Sequence, residues 1–154
     1  METNKIQKQA ILHAPLSRVW RAISNAREFG AWFQLALDGE FTEGAHVRGR
    51  ITHPGYEHLT ADLFIERITP QTYFAYRWHP YAIDPKVDYS QEPMTLVELA
   101  LREVVGFERE RTELTITESG FDRIPAGRRP EALRMNDQGW TGQLENVEKY
   151  VTGS

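Results

Sequence analysis

A chain of 154 residues, 40% hydrophobic and 26% charged, has the apolar material for one sizeable core, so a single domain spanning 1–154 is expected. A net charge of −4 with acidic and basic residues interspersed excludes the basic stripe of a nucleic-acid binder and the cationic patch of a protein drawn to anionic membranes. The absence of cysteine excludes disulfides, thiolate metal sites and a cysteine nucleophile, and no apolar run approaches the ~20 residues needed to span a bilayer.

The opening METNKIQKQAILHAP is polar and lacks the apolar centre of a signal peptide, which suits a soluble, cytoplasmic protein with no membrane insertion. Residues 5–13 have a weakly alternating strand pattern. Pro15 then stands where a helix begins, and LSRVWRAIS follows with Leu16, Val19, Trp20 and Ile23 at helical spacing. Asn25 suits the cap of a second short helix, AREFGAWF, expected to be interrupted at Gly30.

From Leu37 the pattern changes to strands. Glu43-Gly44 forms a hairpin turn between DGEF and AHVRGRIT, and Pro54-Gly55 marks the next turn. In LTADLFIERI, Ala61, Leu63 and Ile65 alternate against Asp62 and Glu66. In TYFAYRWH, Phe74, Tyr76 and Trp78 share one face, and Tyr73, Ala75, Arg77 and His79 the other. Residues 80–93 carry three prolines and no period, the signature of a long loop, and such loops are often functional. Two long strands, 94–105 and 107–119, are expected to pair antiparallel about a turn at Gly106.

The chain closes on GFDRIPAGRRPEALRMNDQGWTGQLENVEKYV, a glycine turn, a proline-broken connector and one long amphipathic helix. Pro130 fits its first turn. Leu133, Trp140, Leu144, Val147 and Val151 form an apolar stripe with Asn136 and Gln143 beside it, opposite Glu131, Arg134, Asp137, Glu145, Glu148 and Lys149. Gly139 and Gly142 flank Trp140, each costing ~1 kcal/mol relative to alanine. Two readings account for them: close approach of the helix to the sheet with Trp140 in the core, or space beside Trp140 for a ligand. Met135 adds an adaptable wall under the second reading.

This order defines an α+β fold, a curved antiparallel sheet of about seven strands around a long C-terminal helix with two short helices after the first strand. Such a sheet twists strongly, and an elongated cavity remains if side chains do not fill it. Five histidines, His13, His46, His53, His58 and His79, form no HExxH or similar cluster, so no metal and no cofactor are expected. There is no GxSxG elbow, and no catalytic residue is assigned. Arg48, Arg50, Glu66, Arg77, Glu98, Arg102, Glu108, Glu110, Glu113 and Glu118 read as the solvated outer face of the sheet, held by cross-strand pairs. Aromatic residues are mostly core, yet Tyr and Trp also carry the polar atoms that orient a ligand in an apolar pocket. The candidate ligand-binding set is Trp32, Phe33, Phe64, Tyr76, Trp78, His79, Met135 and Trp140, with His79 at the mouth of the long loop as a proton acceptor near neutral pH. The open edges of the sheet allow pairing into a homodimer.

The segments APLSRVWRAIS, REFGAWF, YFAYRWHPYAIDP, TLVELAL and, most specifically, ALRMNDQGW and LENVEKYV resemble the bacterial family of activator of Hsp90 ATPase homologues. That family belongs to the START-like, or birch-pollen-allergen-like, superfamily of helix-grip folds. The resemblance implies a β-α-α-β6-α fold enclosing a deep hydrophobic cavity. The element order and the aromatic inventory, with no organised catalytic constellation, suit binding, sequestration or transport of a small hydrophobic or aromatic molecule without catalysis. The superfamily supports two alternatives. One is a polyketide cyclase or aromatase-like enzyme that holds a carbonyl compound in a reactive geometry. The other is an interaction protein like the chaperone activator itself, which carries a separate chaperone-binding domain ahead of this one. Here the helix-grip pattern opens at the start of the chain, so that domain is not expected.

Overall fold

The computed structural model describes residues 4–106 and 108–153. Its elements run β1 (Lys5–Leu12), α1 (Leu16–Ser24), α2 (Ala26–Phe33), β2 (Leu35–Asp38), β3 (His46–Ile51), β4 (Thr60–Thr69), β5 (Tyr73–Trp78), β6 (Thr95–Val104), β7 (Arg111–Ser119), a short 3-10 turn (Phe121–Arg123) and α3 (Arg129–Thr152). The seven strands form one antiparallel sheet in the order β1-β7-β6-β5-β4-β3-β2. This is the helix-grip arrangement, with α3 gripped by the sheet and α1 and α2 packed beside it. Among the described residues no helix is long and apolar enough to cross a membrane.

Local signals explain most boundaries. The Asn25 side chain accepts from the Glu28 backbone N–H at 3.0 Å and so caps α2. The helix does not break at Gly30 as the sequence suggested. It runs through to Phe33 and ends on Gln34 in a left-handed conformation, φ 69°. Gly30 serves a different purpose: a Cβ there would fall 2.2 Å from the Leu35 carbonyl oxygen, so only glycine lets β2 fold back against α2. The strand β2 accordingly starts at Leu35, two residues earlier than its pattern indicated. The strand expected from Phe107 begins at Arg111, and Phe107 itself lies outside the described residues.

The inner face of the sheet carries Val47, Leu63, Ile65, Phe74, Tyr76, Val97, Leu99, Leu114 and Ile116, all buried. Across from them α3 buries Ala132, Trp140, Val147 and Val151, while Leu133 and Leu144 are only half-buried. The small Ala132 therefore faces the core near the start of α3. Each fully buried aliphatic side chain contributes roughly 1.5–3 kcal/mol. On the outer face Arg102 meets Glu113 at 3.1 Å, Arg77 meets Glu66 at 3.3 Å, Arg48 meets Asp62 at 2.8 Å, and the Tyr73 hydroxyl donates to Glu98. Exposed pairs of this kind contribute about 0–1 kcal/mol each, so they fix register more than they stabilise.

Candidate functional site

One carboxylate departs from the outer-face pattern. Along β7 the inward positions are Thr112, Leu114, Ile116 and Glu118, and Glu118 is fully buried. Four side chains donate to it: Trp78 Nε1 at 2.8 Å from β5, Thr95 Oγ1 at 2.5 Å from β6, and from α3 Asn136 Nδ2 at 2.9 and 3.1 Å and Trp140 Nε1 at 2.8 Å. A carboxylate offers about four acceptor directions, so this one is fully engaged. A buried carboxylate without such partners is destabilising by several kcal/mol, and its donors explain how it persists in an aromatic core. The reading of Glu118 as solvated is thus overturned. The signal that could have placed it correctly is its parity with Leu114 and Ile116.

Beside this cluster lies the hydroxyl of Tyr76, fully buried and without a hydrogen-bond partner among the described residues. Burial, and then the negative charge of Glu118, push this phenol well above its ordinary pKa. Tyr76 therefore stays a neutral hydroxyl.

Four of the sequence-derived aromatic residues come together here. Phe33 lies 5.8 Å from Trp78 and 5.7 Å from Trp140, the two indoles are 5.9 Å apart, and Tyr76 is 5.3 Å from Trp78. The others are placed elsewhere. Trp32 packs edge-on to Phe29 and to Phe33, its Nε1 donates to the Ala22 carbonyl at 2.9 Å, and it lines an adjoining groove with Gln34 and Asn146 rather than the clefts described below. Phe64 points to the outer face, opposite in parity to the buried Leu63 and Ile65, and stacks on His46 at 4.2 Å. Met135 is half-buried on α3 and lines neither of the clefts described next.

The resemblance placed a deep cavity inside the grip. That region is filled by aromatic rings, with Phe29 6.1 Å from Tyr76 and Phe41 5.0 Å from Phe74. Open space lies instead at the edge of the grip. One cleft of about 360 Å³ has Phe33, Leu35, Ile51, Ala61 and Trp78 as apolar walls and Gln34, His53, Gln143 and Asn146 as polar ones, closed on the α3 side by Gly139 and Gly142. A Cβ built on either glycine meets nothing within 4 Å. The close approach expected of these glycines is therefore absent, while Trp140 itself is buried in the core and the open space beside the glycines is lined by Trp78. A second cleft of about 330 Å³ shares Ile51, Ala61 and Trp78 and continues beneath residues 80–93, with His79, Tyr81 and Tyr89 in its lining. Both volumes sit at the lower end of small-molecule sites, roughly 300–1,000 Å³. His79 Nε2 donates to the Glu92 carbonyl at 3.1 Å, so that nitrogen is committed to holding the loop.

The long loop is anchored to the start of α3 by Arg128. Its guanidinium donates to Glu92 Oε1 at 2.9 Å, to the Pro80 carbonyl at 2.8 Å and to the Tyr81 carbonyl at 3.2 Å, and lies over the Tyr89 ring at 4.7 Å. Tyr81 adds a hydrogen bond to Glu131 at 3.2 Å. Hydrogen bonds to a charged group contribute about 1.5–3 kcal/mol, so Arg128→Ala is expected to raise the open population of the loop roughly tenfold or more. Tryptic cleavage after Lys86, followed by mass spectrometry, measures it; an unchanged rate would remove Arg128 as the anchor. Among the described residues no three His, Asp or Glu side chains converge as a metal site.

The sequence profile described as Activator of Hsp90 ATPase homolog 1-like protein matches residues 13–152. No curated protein matches the chain. Among solved structures, MLL2253 from Mesorhizobium loti is similar with a TM-score of 0.74 and 17% identity, over 97% of this chain and 98% of that one. DynU16, a protein in the dynemicin biosynthetic locus, is similar with a TM-score of 0.71 and 20% identity over 98% of this chain and 48% of that one, so the present chain spans about half its length. The Aha1 dimer from Colwellia psychrerythraea has a TM-score of 0.68 at 12% identity, over 94% and 93% of the two chains. At these identities the likeness is one of fold.

Proposed function

The chain belongs to the Activator of Hsp90 ATPase homolog 1-like family, and from that premise we propose that it binds a small hydrophobic or aromatic molecule in the cleft beside Trp78, as a non-enzymatic cytoplasmic carrier or sequestering protein. The observation that carries this reading is the pinning of Trp78, a wall of the cleft, together with the buried Trp140 next to it. Glu118 holds Trp78 and Trp140 by their N–H groups at 2.8 Å, next to a cleft left open by two helical glycines. A wall fixed before the ligand arrives loses little freedom on binding, and preorganisation of this kind is worth more to affinity than contact area alone.

A cyclase-like enzyme is the second reading, favoured by the neutral, unpartnered hydroxyl of Tyr76 and by the fold shared with a protein of a biosynthetic locus. Against it, Glu118 has its acceptor directions filled and offers no base to a substrate. The Colwellia relative is a dimer, and the edge strands β1 and β2 would allow a second copy of this chain to pair. The activator reading rests on the family's description alone.

The test is a titration of the whole protein with Nile red, an uncharged dye, using energy transfer from the tryptophans. Saturable one-to-one binding is the expected result. Absence of saturable binding, together with native mass spectra of freshly purified protein that carry no small molecule, would reject the reading.

A further inference from the structure

Resting on that reading, we infer that the molecule taken by the cleft is an uncharged, flat aromatic compound carrying a hydroxyl or carbonyl group, and that the cleft rejects carboxylate-bearing analogues. None of the eleven residues lining it is Asp, Glu, Lys or Arg. Its polar rim is built from carboxamides and one imidazole, and these are already linked. Gln143 Nε2 donates to the Phe33 carbonyl at 3.3 Å, Asn146 Nδ2 donates to Gln143 Oε1 at 3.0 Å, and His53 Nδ1 donates to Gln34 Oε1 at 2.9 Å. The rim keeps donors in the Gln34 amide nitrogen and the second N–H of Gln143 and of Asn146, and acceptors in the Asn146 carbonyl oxygen and His53 Nε2. A hydroxyl satisfies both and a carbonyl the first. The apolar walls, Phe33 and the pinned Trp78, present flat faces to a ring system.

The electrostatics of the cleft exclude an anion for two separate reasons. A carboxylate entering it sheds hydration and meets no Lys or Arg in the lining, since Lys149 stands in an adjoining groove that shares Gln34 and Asn146 with the cleft. It also approaches Glu118, whose negative charge lies directly behind Trp78, bonded to that indole at 2.8 Å. Across the indole, in a poorly screened site, repulsion between like charges is expected to weaken binding about tenfold.

Three probes of one ring size decide the matter by calorimetry on the whole protein at pH 7: 2-naphthol, 2-naphthoate and 2-naphthylmethylammonium. The expected order places 2-naphthol at least about tenfold tighter than 2-naphthoate, with the ammonium compound no tighter than the naphthol. Equal affinities for naphthol and naphthoate, or preference for the ammonium, would overturn the inference while leaving the cleft as a binding site. If none of the three binds, both the inference and the reading beneath it fall. Asn146→Lys supplies the missing cation on a half-buried position of α3. It is expected to raise naphthoate affinity roughly tenfold with little change for naphthol, and unchanged naphthoate binding in that variant would also count against the inference.

Discussion

Replacing Glu118 by leucine is expected to destabilise the protein by ~3–5 kcal/mol, because it strands several buried neutral donors at once. The leucine fills much of the volume and leaves four donors, Trp78 Nε1, Thr95 Oγ1, Asn136 Nδ2 and Trp140 Nε1, without their acceptor. An unsatisfied buried donor costs about 1–3 kcal/mol, and local relaxation recovers part of the total. Glu118→Gln keeps the size but turns an N–H toward that ring of donors, so a loss of similar sign is expected. Thermal unfolding monitored by circular dichroism reads both, with a fall in melting temperature of about 2–4 °C per kcal/mol for a domain of this length. A variant within ~1 kcal/mol of the parent would show that the carboxylate is not what holds the two indoles. The near-ultraviolet signal of the tryptophans provides a second readout, since released indoles lose their fixed environment even where the backbone remains folded.

Gly142→Leu is expected to act in the opposite sense, abolishing ligand binding while leaving the fold intact. Its Cβ position borders open space and lines the cleft with Gly139. A leucine there projects into the volume beside Trp78, so Nile red or 2-naphthol affinity should fall by at least roughly tenfold, equivalent to ~1.4 kcal/mol. Stability should hold or rise, because glycine within a helix is less favourable than other residues by ~1 kcal/mol. The paired control is Gly139→Ala, which should raise stability by ~0.5–1 kcal/mol and remove only a small part of the cleft. If Gly142→Leu binds the probes as the parent does, the ligand sits elsewhere. The combination of better stability and lost binding is hard to produce by accident, since damage to the fold lowers stability along with binding.

The Glu118 cluster also shows where reading the chain from its pattern succeeds and where it stops. Phe74, Tyr76 and Trp78 were placed on one face by alternation alone, and the sheet holds them so. Trp140 between its glycines stood out for the same reason: two helix-weakening residues one turn apart require an explanation that a neighbouring surface supplies. Phe64 is a candidate by its aromatic character, yet its parity sets it with the outward Asp62 and Glu66 rather than with Leu63 and Ile65. Glu118 is the mirror image, a charged residue whose parity is that of the inward Leu114 and Ile116. In both cases the periodicity held the answer and residue type misled.

Gly30 is a different kind of miss. Within AREFGAWF the helical pattern continues on either side of it, and glycine is read locally as an interruption. The reason for the glycine is the Leu35 carbonyl at 2.2 Å from where its Cβ would stand, a contact made only once β2 folds back over α2. The cavity expected from the resemblance was likewise displaced. Whether rings fill the concave face depends on how Phe29, Phe41, Phe74 and Tyr76 interdigitate, and volume of that sort has no signature along the chain.

By itself the amino-acid order determined the succession of strand, paired helices, six further strands and long helix, and with it the face each alternating residue presents. These properties follow from the two-residue and 3.6-residue periods of strand and helix, which are local. The tertiary structure alone decided that Glu118 is the centre of the interior polar cluster, that the interior is packed with rings, and that the open space lies against Gly139 and Gly142. The donors that meet at Glu118 come from positions 18, 22, 23 and 40 residues away in the chain. No local period encodes such a meeting, because it exists only when β5, β6, β7 and α3 are brought to one point by the curvature of the sheet around its helix.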